Sequence, residues 1–203
     1  MDAAARELLG ARLIRDDGLS VRTGRIVEVE AYEGPRDLAS HARAGRTGRN
    51  ASMFGPSGRA YVYGVYGTVC CLNVVTGPPG HASAVLLRAV MPVTGADSMR
   101  AARVRHAIAT RRADRLDPAA AAARLARVPD TRLAAGPGNL AAAFDVERGE
   151  DGVDLLDPAG SLRLEPRADH GRAFVILAGP RVGVAYAGSG WAERPWRFVI
   201  APG

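Results

Sequence analysis

Between Arg25 and Gly34 polar and apolar positions alternate, so that on an extended strand Val27, Val29 and Ala31 fall on one side and Glu28, Glu30 and Tyr32 on the other. One face reads as core and the other as chemistry. The same reading divides the rest of the chain. Asp2 caps a short predicted helix ending at Leu9, and Ala11 to Arg15 and Leu19 to Tyr32 read as strands joined by polar turns at Asp16-Asp17-Gly18 and Thr23-Gly24. Gly34 to Gly58, rich in Gly, Arg, Pro and Ser and without periodicity, reads as a long surface loop, a kind of segment that often carries function. Arg59 to Tyr63 and Val69 to Val75 form strand-like runs around Gly64-Val65-Tyr66-Gly67-Thr68, which predicts a hairpin with a tyrosine at its tip. Ser83 to Met91 is a further strand, apolar apart from Arg88.

Asp97 to Thr110 and Pro118 to Val128 read as helices whose alternating Ala and Arg describe solvated faces, and Asn139 to Phe144 begins another after the turn at Gly136-Pro137-Gly138. Asp154 to Leu156, Ser161 to Glu165, Phe174 to Ala178, Val182 to Tyr186 and Arg197 to Ile200 read as short strands and turns. No repeat or linker interrupts this series. With 203 residues, 47% of them hydrophobic, the chain can bury a core, and one domain over residues 1–203 is expected.

Charge narrows the chemistry. The net charge is +6, with a pI near 10.1, and suits an anionic partner without establishing one. All 27 basic residues are arginine, so a Schiff-base lysine, a phosphate-loop lysine and a pyridoxal-phosphate lysine are all excluded. Cys70 and Cys71 are too few and too close for a disulfide framework or a thiolate metal site, and read as packing residues in a reducing cytoplasm. His41, His81, His106 and His170 lack metal-ligand spacing, so no metal is expected. The first fourteen residues do not read as an export signal, and no apolar run is long enough for a membrane span.

Within this frame a few residues call for chemical explanation. Glu28 and Glu30 are both candidates for a general base. Arg88 is a charge inside an apolar strand and needs a carboxylate partner, for which Glu30 and Glu28 are the candidates. Three of the five tyrosines lie in Tyr61-Val-Tyr-Gly-Val-Tyr-Gly67. Tyr32 and Tyr63 could wall a stacking slot, and Tyr66, at a turn between glycines, could insert into a partner. Enzymes that process bases in duplexes need such a slot, a wedge and a basic face.

Taken together, Gly24-Arg-Ile-Val-Glu-Val-Glu-Ala-Tyr-Glu-Gly-Pro35, Ala39-Ser-His41, Asn50-Ala-Ser-Met-Phe54, Tyr61-Val-Tyr-Gly-Val-Tyr-Gly67, Cys71-Leu-Asn73 and Val85-Leu-Leu-Arg-Ala89 resemble the alkyladenine (3-methylpurine) DNA glycosylases. The resemblance continues through Gly136-Pro-Gly138, Arg181-Val-Gly-Val184 and Pro195-Trp-Arg-Phe198, in order along almost the whole chain. It implies a single-domain mixed α/β (α+β) fold around a curved antiparallel sheet, with flanking helices and a protruding hairpin that carries Tyr66. It also implies a monofunctional enzyme acting on double-stranded DNA that excises alkylated or deaminated purines without a lyase step; the residues call for no cofactor, and a DNA-scanning enzyme of this size is expected to be a monomer. Glu30 matches the family's general base, and Arg88 and the backbone carbonyl of Val182 match groups that help hold the attacking water. Tyr32, His41 and Tyr63 match the base pocket, Asn73 the residue that crowds the guanine amino group, and Tyr66 the wedge. Glu28 matches the strand but no catalytic role.

There are departures from the pattern. Asn139 stands where the family usually has a lysine, and Arg111 to Arg132 match no motif. Two rival readings remain at this level: a non-catalytic binder of distorted duplex, which would not need Glu30 and Arg88, and a hydrolase of free nucleosides, for which a wedge would be pointless.

Overall fold

The structure, a computed structural model, describes residues 1–65, 69–110, 117–167 and 174–201. Tyr66, the predicted wedge, lies outside the described residues, as do the hairpin tip and residues 111–116.

Two long strands organise the molecule: β2 (Val21–Glu33) and β5 (Ser83–Thr94), paired antiparallel along most of their length. Their outer edges are each shared by two short partners. β2 takes β1 (Arg12–Asp16) at residues 21–25 and β9 (Arg197–Ile200) at residues 28–30. β5 takes β4 (Val69–Thr76) at residues 83–86 and β6 (Ala134–Ala135) at residues 89–90. β3 (Ala60–Val65) pairs with β4, β7 (Leu162–Glu165) with β1, and β8 (Ile176–Gly179) with β9. Every pairing between these strands is antiparallel, and the sheet curls into a half-barrel of one mixed α/β domain.

β-Bulges sit where the edges divide. Ile26 faces Val90 and Glu28 faces Ala89, which leaves Val27 without an opposite residue; Val29 then faces Leu87, which leaves Arg88 without one. Each extra residue reverses the inside–outside phase of its strand. The main core therefore contains Ile26, Val29 and Ala31 of β2 but not Val27, which is only half-buried, contrary to the simple alternation read from the sequence. On β5 the same core takes Val85, Leu87 and Val90, and Arg88 is turned to the opposite face.

The core face of the sheet is covered by α1 (Asp2–Leu8), α2 (Ala96–Thr110) and α4 (Pro137–Ala143), through residues such as Ala5, Met99 and Leu140, which are fully buried. Asp2 is not the cap of α1. Met1 holds that position, and Asp2 lies in the first turn, where its carboxylate accepts from Arg6 Nε at 3.3 Å. α3 (Pro118–Ala126) is capped by the Asp117 side chain, which accepts from the Ala119 N–H. The arginines of α2 do more than solvate a face: Arg100 Nη1 donates to the carbonyls of Leu125 and Val128 at 3.1 and 2.7 Å, and Arg103 Nη1 to that of Leu133 at 2.9 Å. They tie α2 to the end of α3 and to the segment before β6.

The loop after β2 lies at the surface as expected, with residues 46–49 exposed, but it also buries several of its own side chains. Asp37, Ala39, Ser40, Ala42, Asn50 and Met53 lose almost all exposure, because part of the loop folds over the second face of the sheet through single 3-10 turns at His41–Ala44 and Ala51–Phe54. Val182 to Tyr186, in the series read as short strands and turns, is a turn. It leads into another 3-10 turn, Ala185–Ala187, packed against Ala39.

Candidate active site

Alternation on four strands builds one surface. While Val29, Ala31, Ala60, Val62, Leu72 and Val85 enter the core, their neighbours Glu30, Tyr32, Tyr61, Tyr63, Asn73 and Leu86 line a cavity of about 380 Å³ on the opposite face. That volume is within the roughly 300–1,000 Å³ usual for small-molecule sites. His41 reaches the cavity from the loop after β2, and Val182 from the turn after β8.

The carboxylate of Glu30 has no exposed surface and faces three donors. The Val182 N–H reaches Oε1 at 2.7 Å, Arg88 Nη1 reaches the same oxygen at 3.2 Å, and the Tyr32 hydroxyl donates to Oε2 at 2.9 Å. An ionised carboxylate has acceptor sites only, so this set of donors is fully complementary to it. The contact from Val182 is through its N–H, whereas the sequence reading assigned a role to its carbonyl. Arg88 bridges to Glu28, with its Nε donating to Oε1 at 3.0 Å, and Arg197 Nη1 reaches that oxygen at 3.2 Å. Burial opposes the charge on Arg88, but the attraction of Glu30 and Glu28 outweighs it and raises the guanidinium pKa.

Aromatic rings form the walls. His41 stands edge-on to Tyr63, with ring centroids 4.4 Å apart at 84°, and its Nδ1 lies 2.8 Å from the Tyr61 hydroxyl. Burial, then Arg49 and Arg43, push the His41 pKa below its ordinary value, so the imidazole is neutral near pH 7. Burial likewise raises the phenols of Tyr32, Tyr61 and Tyr63, and the charge of Glu30 adds to this at Tyr32. All three are neutral. Asn73 Nδ2 donates to the Tyr61 carbonyl at 2.9 Å, which fixes the amide at the cavity wall. Asn50 holds the His41 segment by donating to the carbonyls of His41 and Gly45 at 2.9 and 3.0 Å.

Thus Glu30, Tyr32, His41, Tyr63, Asn73, Arg88 and Val182 come together around one cavity. Sequence reasoning passed over Tyr61, although its spacing from Tyr63 put both on one face. It also missed the buried pair Arg181 and Asp37, in which Nη1 and Nη2 donate to the carboxylate at 2.5 and 3.0 Å. The Arg181 guanidinium lies over the rings of Tyr32 and Trp196, 4.7 and 4.9 Å from their centroids, and donates to the carbonyls of Ala31 and Trp191. It braces the back of Tyr32 and anchors the residue before Val182. No local signal marks this pair, whose members are 144 positions apart. Among the described residues no group of His, Cys, Asp and Glu could hold a metal ion, and no helix is long and apolar enough to cross a membrane.

Fold and site define a class: a mixed α/β domain that opens a tyrosine-walled pocket over a buried carboxylate, on the face of a curled sheet opposite its core. The chain belongs to the methylpurine-DNA glycosylase (MPG) family, whose profile matches residues 1–202. Proteins carrying the name "Putative 3-methyladenine DNA glycosylase" include one from Nocardia farcinica (strain IFM 10152), 47% identical over 202 residues, which cover 97% of this chain and 81% of the relative. Another, from Anaeromyxobacter dehalogenans (strain 2CP-1 / ATCC BAA-258), is 46% identical over 197 residues, covering 97% of this chain and 75% of the relative. A third, from Mycobacterium tuberculosis (strain ATCC 25177 / H37Ra), is 42% identical over 203 residues, covering 98% and 84%. Membership of this family makes the chain a DNA glycosylase, a hydrolase of N-glycosyl bonds.

Proposed function

We propose that this chain, acting as a monomer, flips alkylated or deaminated purines out of duplex DNA and releases them by hydrolysis, with Glu30 as the general base. The observation that carries the proposal is the carboxylate of Glu30, sealed beneath an aromatic pocket and held by Val182, Arg88 and Tyr32. Cleavage of the glycosidic bond builds positive charge on the sugar, which a nearby carboxylate stabilises while it takes a proton from the attacking water. For a purine alkylated at N3 or N7 the ring is already cationic. The electron pair of the breaking bond neutralises it, so departure needs no acid.

The three present contacts leave one lone-pair site, on Oε2, to receive the water's proton. Arg88, whose Nη1 lies 3.2 Å from the same carboxylate, helps to hold that water. Tyr32 and Tyr63 present ring faces that favour a cationic base by about 0.5–2 kcal/mol. His41 offers a neutral ring nitrogen, and Asn73 crowds a guanine amino group. Tyr66, outside the described residues, fills the gap left in the duplex. A weakened base pair lowers the cost of flipping and adds selectivity. With no lysine in the chain, no side-chain amine can form an imine with the abasic sugar, and a lyase step is disfavoured.

The test is single-turnover release of free base from duplexes carrying a 3-methyladenine analogue, hypoxanthine or ethenoadenine, comparing the wild type with Glu30→Gln. Loss of the general base slows release by about 10²–10⁴-fold while duplex binding persists. Tight binding by the wild type with no release from any lesion would leave a damage-binding protein instead.

A further inference from the structure

A second groove adjoins the base pocket. Its cavity of about 470 Å³ lies between α2, α3 and α4, and Val69, Pro137 and Gly138 line both cavities. The polar lining consists of Arg103, His106, Thr110, Arg124 and Asn139, and among the described residues no carboxylate reaches it.

The arginines of these helices fall into two groups. Arg100 is paired with Asp130, and Arg105 with Asp145 at 2.6 Å. Among the described residues, the two that line the groove have no carboxylate partner. Arg124 is exposed and makes neither a hydrogen bond nor an ion pair among the described residues. Arg103 is half-buried and held only by neutral oxygens, the Leu133 carbonyl at 2.9 Å and Asn139 Oδ1 at 2.7 Å, while Asn139 is itself fixed by donating to the Ala135 carbonyl at 2.8 Å. Burial, then the like charges of Arg124 and Arg100, lower the Arg103 pKa, which is the penalty of a cationic groove without its anion.

We propose that this groove seats a backbone phosphate of the duplex beside the nucleotide whose base enters the pocket, with Arg124 as the mobile cation and Arg103 as the fixed one. The shared wall decides the occupant: a strand whose base lies in the first cavity carries its phosphates past Val69, Pro137 and Gly138. The choice of duplex as occupant rests on the glycosylase reading; the absence of a counter-charge among the described lining residues does not.

The experiment measures binding of duplexes, damaged and undamaged, as a function of salt for the wild type, Arg124→Gln and Arg105→Gln. Losing a phosphate contact lowers the slope of log K against log salt by about one. Arg124→Gln should do so, and should weaken both duplexes by roughly tenfold, as expected for the loss of one solvent-screened, charge-assisted hydrogen bond. Arg105→Gln removes the same charge from an arginine that already has Asp145, and should leave the slope unchanged. An unaltered slope in Arg124→Gln, or an equal fall in both variants, overturns the proposal. Because the readout is binding, the comparison stands even if the wild type releases no base; release with an unaltered slope would sink the groove alone.

Discussion

Asp37→Asn should be among the most damaging single-atom changes available in this chain, although Asp37 lies well outside any regular element. Both side chains of the Asp37 and Arg181 pair have zero exposure. Asn keeps the shape and one acceptor, which can still receive Arg181 Nη2 or the Ala39 N–H, both 3.0 Å from Oδ1 in the native chain. Its NH₂ group then meets Arg181 Nη1 and the Glu33 N–H, donors that approach Oδ2 at 2.5 and 3.2 Å. Removing one partner of a buried ion pair strands the other charge and costs about 3–5 kcal/mol. A domain of this size shifts by about 2–4 °C per kcal/mol, so Tm should fall by roughly 6–20 °C. Asp130→Asn is the control, because its pair with Arg100 has side chains 60% and 22% exposed, and such pairs contribute about 0–1 kcal/mol. Calorimetric unfolding of both variants, with agreement of calorimetric and van't Hoff enthalpies, checks the difference. A shift for Asp37→Asn no larger than that for Asp130→Asn would refute the argument that burial makes this pair indispensable. The same substitution should also slow base release in the surviving folded fraction, since Arg181 braces Tyr32 and precedes the N–H that holds Glu30.

Other consequences follow from the same geometry. The folded pKa of His41 lies below its ordinary 6.5, so as pH falls the unfolded chain binds that proton first. His41 thus costs no stability above about pH 6.5 and an increasing amount below it, down to its folded pKa; urea midpoints at pH 7.5 and 5.5 should fall further for the wild type than for His41→Gln. Gly34→Ala should be strongly destabilising, since φ is +50° and a Cβ would lie 2.6 Å from the His81 carbonyl oxygen, whereas Gly45→Ala, at φ +80° with nothing within 4 Å, should cost only about 1–2 kcal/mol of backbone strain. Denaturant titrations of the two variants compare these costs directly.

Much of the site was legible along the chain, because the side on which a strand residue points depends on its immediate neighbours. The pairs 30 and 32, 61 and 63, and 86 and 88 each share a face at the period of two, and this brought Glu30, Tyr32, Tyr63 and Arg88 forward as candidates before any fold was known. The need of Arg88 for an acid was equally local, since a charge in an apolar strand must be compensated. What alternation could not supply is where it breaks. The bulges at Val27 and Arg88 depend on how two long strands share their edges with four short ones, so Val27 leaves the core against its pattern. Nor could a Gly- and Arg-rich loop announce which of its residues would be buried, because these acquire their partners only when Asp37 meets Arg181 and Asn50 spans its turns. The division between Arg103 and Arg124, which have no carboxylate among the described residues, and Arg100 and Arg105, which have one, is likewise absent from a sequence of repeating Ala and Arg. The sequence by itself determined the faces of the strands and the residue types set on them; only the tertiary structure decided which distant charges meet, because that depends on closing the chain over separations that no local preference spans.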